Sequence, residues 1–167
     1  MIFSTARLWR LVKTISVSCI GIQALLIVLG NLTDYDTNYQ FVEHVLKMDT
    51  TFPTSRTHYR SLDSPVFFQA AYGFIILAEM LMSACCLWGS WLLIKYLNSD
   101  PITFQAAKTW GVVGLTIGIL IWYLGFEVVG GEWFGMWQST RWNGLASAER
   151  MVSFLMLTLI LLHQHDG

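Results

Sequence analysis

Apolar residues gather into four long runs, Leu8–Gly30, Pro65–Leu97, Phe104–Val129 and Gly144–Leu162, and polar residues fall into the stretches between them. The hydrocarbon core of a bilayer is crossed by about 20 helical residues. Each run can reach across, and a single acid, Glu79, lies deep inside any of them. The pattern predicts an all-α membrane protein, one domain over residues 1–167 with four transmembrane helices at about 8–30, 65–97, 104–129 and 144–162. The second run would be about 50 Å long as a continuous helix, so it must tilt or extend past the bilayer.

The connecting stretches differ in kind. Residues 31–64 form the one sizeable polar segment. Within it, Thr37-Asn38-Tyr39-Gln40 fits a capping box, and Phe41, Val42, Val45 and Leu46 then recur at helical spacing opposite Glu43, His44 and Lys47. This predicts a short amphipathic helix ended before Pro53, acting as a lid over the protein's own helices in preference to lying on the membrane. Pro65 suits a first helical position, and Asn98-Ser99-Asp100-Pro101 reads as a turn whose Ser99 or Asp100 caps the third helix.

The third run carries the clearest internal pattern. Ala107, Gly111, Gly114, Gly118 and Gly125 are spaced four, three, four and seven apart, which places them on one helical face. Small residues on one face let helix backbones approach closely in lipid. Packing within the chain is the simpler reading of this face, and a homo-oligomer seam is the alternative.

Composition sharpens the class. Hydrophobic residues make up 54% of the chain and charged residues 13%, against about 25% charged in soluble domains. Net charge is −1, which gives no reason to expect a nucleic-acid partner. Cys19, Cys85 and Cys86 all fall inside apolar runs, so no disulfide framework between helices is available. Arg7, Arg10 and Lys13 precede the first run, which is also how a signal peptide begins, but Gly30-Asn31-Leu32-Thr33 is a poor cleavage site; the run reads as an uncleaved first helix. The same basic cluster, with Lys95 and Lys108 around the second turn, places both termini in the cytoplasm. Asp34, Asp36, Glu43, Asp49, Asp63, Glu127, Glu132 and Glu149 then collect on the outer side, and the inner acids are Asp100 and Asp166.

Candidate chemistry is sparse. Glu79 is costly at mid-membrane unless neutral, paired or facing a cavity. It reads as a protonated carboxyl bonded to Ser83, Thr116, Ser153 or Thr158, with a proton or cation relay as the sharper alternative. His44 and His58 lie in the outer segment and His163 and His165 at the inner end, so no histidine pair faces across helix centres to hold a haem. Metal-helix, nucleophile-elbow and phosphate-loop motifs are absent from the sequence, and no cofactor, metal or catalytic residue is expected. At the outer boundary Trp133, Trp137 and Trp142 alternate with Glu132, Gln138 and Arg141. An aromatic belt explains the tryptophans; with the interleaved polar groups they form a candidate partner-binding rim.

Two stretches, Tyr39–Pro53 and Gly130–Gly144, together with the four-helix layout, resemble a bacterial family of predicted small integral membrane proteins, domain of unknown function 2165. The resemblance covers nearly the whole chain. It implies the bacterial inner membrane and no activity. The expected function is therefore an accessory or structural subunit of a larger membrane complex, not an enzyme, with the lipid bilayer and other membrane subunits as partners. The alternative is a small transporter or channel that uses Glu79.

Overall fold

The computed structural model describes residues 4–166. The chain folds into helices only among those residues, in the order α1 (Thr5–Thr33), α2 (Tyr35–Lys47), α3 (Pro65–Lys95), α4 (Pro101–Ala107), α5 (Thr109–Ile119), a π-helical segment (Leu120–Trp133) and α6 (Leu145–His163), with single 3-10 turns at His58–Arg60 and Met136–Gln138. Four helical stretches, Thr5–Thr33, Pro65–Lys95, Pro101–Trp133 and Leu145–His163, are long and apolar enough to cross a membrane. The protein is an all-α membrane protein.

The four spans form a closed ring. α1 lies along α3, α3 along α5, and α6 packs on α5 and the π segment and returns to touch α1. The stripe that α1 buries runs Arg10, Lys13, Thr14, Val17, Ile20, Gly21, Ala24 and Val28, the three-and-four spacing of one helix face. Its lower apolar members meet Met82, Cys86 and Leu93 of α3, Leu115 of α5 and Leu155 and Leu162 of α6 in the main core.

The small-residue face of α5 faces α3. A side-chain carbon at Gly89 would strike the backbone nitrogen of Gly111, and one at Gly114 would sit 2.5 Å from Cys86 Sγ. At Gly118 it would meet Met82 Cε at 2.9 Å and Leu155 Cδ1 at 3.0 Å. Gly125, expected on the same face, is off it: it is exposed, and its nearest such neighbour is Leu120 O of its own helix at 3.7 Å. The reason is the change of helix type. The π segment bonds i to i+5, so its residues turn through a smaller angle per step and the seven-residue spacing from Gly118 no longer preserves the face. The third span is thus not the single continuous helix expected: Lys108 interrupts it between α4 and α5, and Leu120 begins the wider coil.

Local signals account for the helix starts. Ser4 Oγ accepts from Arg7 N at 3.3 Å, Pro65 occupies the first turn of α3, and Asp100 accepts from Ile102 N and Thr103 N at 3.0 and 3.1 Å. The Thr103 hydroxyl and the two amides hold the Asp100 carboxyl below the usual carboxylate range. The capping box expected at Thr37 is not used. α1 runs on to Thr33 and α2 resumes at Tyr35 after the single residue Asp34, so Thr37 lies inside the helix.

Candidate functional site

Three places concentrate polar groups: a capped end, a buried carboxyl, and a basic end.

At the capped end, α2 lies as a lid on α1 and α3, with Val42 against Val28, Tyr72 and Ile76. The two polar stretches, 48–64 and 134–144, are stitched to each other. Phe52 N donates to Gln138 Oε1 at 3.0 Å, the Thr50 hydroxyl to Ser139 Oγ at 2.8 Å, and Arg60 Nη1 to the Trp133 carbonyl at 3.3 Å. Trp142 stacks on His44 with ring centroids 4.6 Å apart and meets Phe41 edge-on at 6.2 Å. Phe52 meets Trp137 edge-on at 5.9 Å. Met48 adopts φ 55° to turn the chain out of α2, and Gly135 adopts φ 65° to enter the turn beneath it.

The expected rim therefore divides. Glu132, Trp133, Trp137 and Arg141 are exposed, whereas Gln138 and the half-buried Trp142 are turned into the cap and hold it together. Arg141 lies over the Trp142 ring at 4.9 Å. Beside the cap, α3 and the π segment diverge and leave an apolar crevice of about 600 Å³, lined by Val45, Ile75, Ala78, Ile121, Gly125 and Met136 among others. Its rim residues Phe74, Leu77, Leu120 and Leu124 are exposed within two spans, so the crevice opens sideways where a bilayer supplies hydrocarbon.

Glu79 is buried on α3, and its partner is not one of the hydroxyls expected. Its Oε2 accepts from Asn31 Nδ2 at 2.7 Å, and the Asn31 carbonyl accepts from the Tyr72 hydroxyl at 2.9 Å. Of the four expected donors, two bond elsewhere, one is exposed, and Thr158 makes no hydrogen bond to Glu79. Ser83 donates to the Gly21 carbonyl, Thr116 to the Val112 carbonyl, and Ser153 is exposed. Glu79 thus joins α3 to the last turns of α1. In the π segment, Trp122 Nε1 and Glu127 Oε1 are shielded from solvent and have no hydrogen-bond partner among the described residues. They stand five residues apart, one π turn.

The basic end was missed as a site in the sequence. Arg10, Lys13, Lys108 and Asp166, expected only as charges on the inner side, are 7, 2, 3 and 5% exposed. After α6 ends, residues 164–166 fold back under the bundle. Lys13 Nζ reaches Asp166 Oδ1 at 2.7 Å and the Gln164 carbonyl at 2.5 Å. Lys108 Nζ pairs with Asp166 Oδ2 and donates to the same Gln164 carbonyl and to Gln105 Oε1, each at 2.8 Å. Arg10 Nη1 donates to the carbonyls of Leu97 and Ser99 at 3.1 and 2.7 Å, and Nη2 to the Asp166 carbonyl at 3.4 Å. Burial pushes the Asp166 carboxyl up, but the hydrogen bonds and charges of Lys108 and Lys13 outweigh it and hold the group below its ordinary 3.8. One carboxylate so bridges two ammonium groups and closes the end of the bundle.

Four spanning helices, a polar cap at one end and a charged closure at the other define a small multi-pass integral membrane protein. The chain belongs to the family described as predicted small integral membrane protein, domain of unknown function 2165, whose model matches residues 9–165. No curated protein and no solved structure matches it.

Proposed function

We propose that this protein is an accessory, non-catalytic subunit of a larger complex in the bacterial inner membrane, docking a partner subunit through its cap. The observation that carries the reading is the way the cap presents aromatic side chains. Phe52, Tyr59, Trp133 and Trp137 are 50 to 76% exposed, while Gln138, Ser139 and Thr50 are engaged in holding the two stretches together. Large apolar surfaces on a pre-ordered frame are what interface anchors require, because little conformational freedom is lost on docking. Both termini are placed in the cytoplasm, on the tendency of basic residues to remain there, with the cap on the far side.

A second reading, a small transporter or channel, is supported by the buried carboxyl of Glu79. Extraction in mild detergent from cells at native expression separates the two. The accessory reading expects a co-migrating membrane partner that Trp133→Ala with Trp137→Ala releases while the bundle stays folded. A monodisperse particle of this chain alone would overturn it, and a flux abolished by Glu79→Gln in a folded protein would establish the second reading.

A further inference from the structure

We infer that the basic end is a binding site for a phosphate-type oxyanion, and that the chain's own tail, through Asp166, occupies it as a displaceable internal ligand. The first ground is charge. Arg10, Lys13 and Lys108 bring three cations into a space where, among the described residues, the one acid is Asp166. The Gln164 carbonyl at the end of α6 adds about half a negative charge, and the turn carbonyls of Leu97 and Ser99 are neutral acceptors. Three positive charges then face about one and a half negative ones, nearly all removed from water. A buried cation left without a full counter-charge is unfavourable, so the site favours a ligand with more negative charge than one carboxylate.

The second ground is geometry. Arg10 Nε is buried and has no hydrogen-bond partner among the described residues, although the rest of the guanidinium is engaged. The tail supplies three acceptors that a tetrahedral oxyanion can replace: Asp166 Oδ1 toward Lys13, Oδ2 toward Lys108, and the Asp166 carbonyl toward Arg10. A phosphate monoester carries about −1.5 to −2 charges and three terminal oxygens. The Gln164 carbonyl, at the end of α6, stays in place for both lysines.

Access is the third ground. A cavity of about 460 Å³, lined by Pro101, Ile102, Gln105, Ala106, His165 and Asp166, opens directly against the plug. The exposed Ile102 forms part of its wall, so apolar surface adjoins the charges. Basic pockets between transmembrane helices on the cytoplasmic side suit anionic headgroups. A phosphate can arrive there on a lipid or from solution, and the chemistry at the site is the same.

The test uses the full chain in nanodiscs of phosphatidylcholine, with phosphatidic acid and inorganic phosphate as separate probes. Native mass spectrometry should find one phosphatidic acid bound per chain. Asp166→Asn removes the internal competitor and should tighten binding about tenfold, since affinity rises with the fraction of sites already open. Lys108→Gln should weaken it by a similar factor. Competition by millimolar inorganic phosphate would identify a free oxyanion as a ligand, and binding that survives it would identify the lipid; both support the site. Hydrogen exchange on the native chain guards against misfolded variants, because bound lipid should raise exchange at residues 165–166. Unchanged exchange with saturating lipid, no binding of either probe, or equal affinity in native, Asp166→Asn and Lys108→Gln proteins would overturn the proposal.

Discussion

At the capped end, a lid helix and two polar stretches close the bundle through ring stacks and single hydrogen bonds spread over residues 34–64 and 134–144. At the basic end, three tail residues do the same work through one carboxylate, three cations and a shared carbonyl. The first closure is many weak contacts, largely independent. The second is a few strong ones that depend on each other, because removing one member of a buried charged set leaves the others unpaired. Damage should therefore be graded at the capped end and steep at the basic end. The contrast also assigns different uses: a surface that presents aromatic groups outward, and a plug that can be exchanged.

The largest effect should come from Asp166→Ala. In buffer without phosphate or anionic lipid it leaves Lys13 and Lys108 buried without their carboxylate, a loss of about 3–5 kcal/mol for a broken buried pair. Thermal unfolding in detergent measures it, and phosphatidic acid should restore part of the loss if an oxyanion takes the same place. The pH dependence has a defined sign. A carboxyl held below 3.8 contributes stability that is fully present above that value and is lost as pH falls through its lowered value. The gap between native and Asp166→Ala proteins should be widest near neutral pH and should close in strong acid. A gap that widened in acid would mean that Asp166 is not the stabilising anion.

Gly114 lies between the two ends and belongs to neither closure, so it tests whether the seam or the ends hold the helices together. Gly114→Leu would drive a side chain into Cys86 Sγ and the α3 backbone. Overpacking of this kind costs about 1–3 kcal/mol, toward the upper figure where backbone must move. The same substitution at Gly125, which lines the lateral crevice, meets nothing closer than Leu120 O at 3.7 Å and serves as its control. Equal losses at the two positions would show that the divergence of α3 from the π segment does not persist in the bilayer.

The four spans were legible because each is a long apolar run, and the seam because small residues recur at helical spacing up to Gly118. The π segment was not legible. Its apolar residues continue without any break, and hydropathy does not report the number of residues per turn. The hydrogen bond from Asn31 to Glu79 was missed because it joins residues 48 positions apart, on different helices. The basic end could have been found. Arg10, Lys13 and Thr14 continue the same stripe as Val17, Ile20, Gly21 and Ala24, and Lys108 precedes Gly111 and Gly114 on the packing side of the third span. Cations on the inward stripe of two helices require a buried acid, and Asp166 is the acid at that end that does not cap a helix. Reading them as topology markers alone hid the site.

The smallest effect should be at Trp142, where the cap's independence is tested most directly. Trp142 stacks on His44, meets Phe41 edge-on and lies under Arg141. Truncation to Ala removes two aromatic pairs, each worth about 0.5–1.5 kcal/mol beyond its buried area. Yet Phe52 still bonds to Gln138, Thr50 to Ser139 and Arg60 to Trp133, so the two stretches remain joined. Loss of the two ring pairs in Trp142→Ala should lower stability by about 1–3 kcal/mol and raise hydrogen exchange in α2 and residues 48–62, while leaving exchange at 164–166 as it is in the native chain. If instead both ends loosened together, the two closures would be coupled through the bundle and the contrast between them would fail.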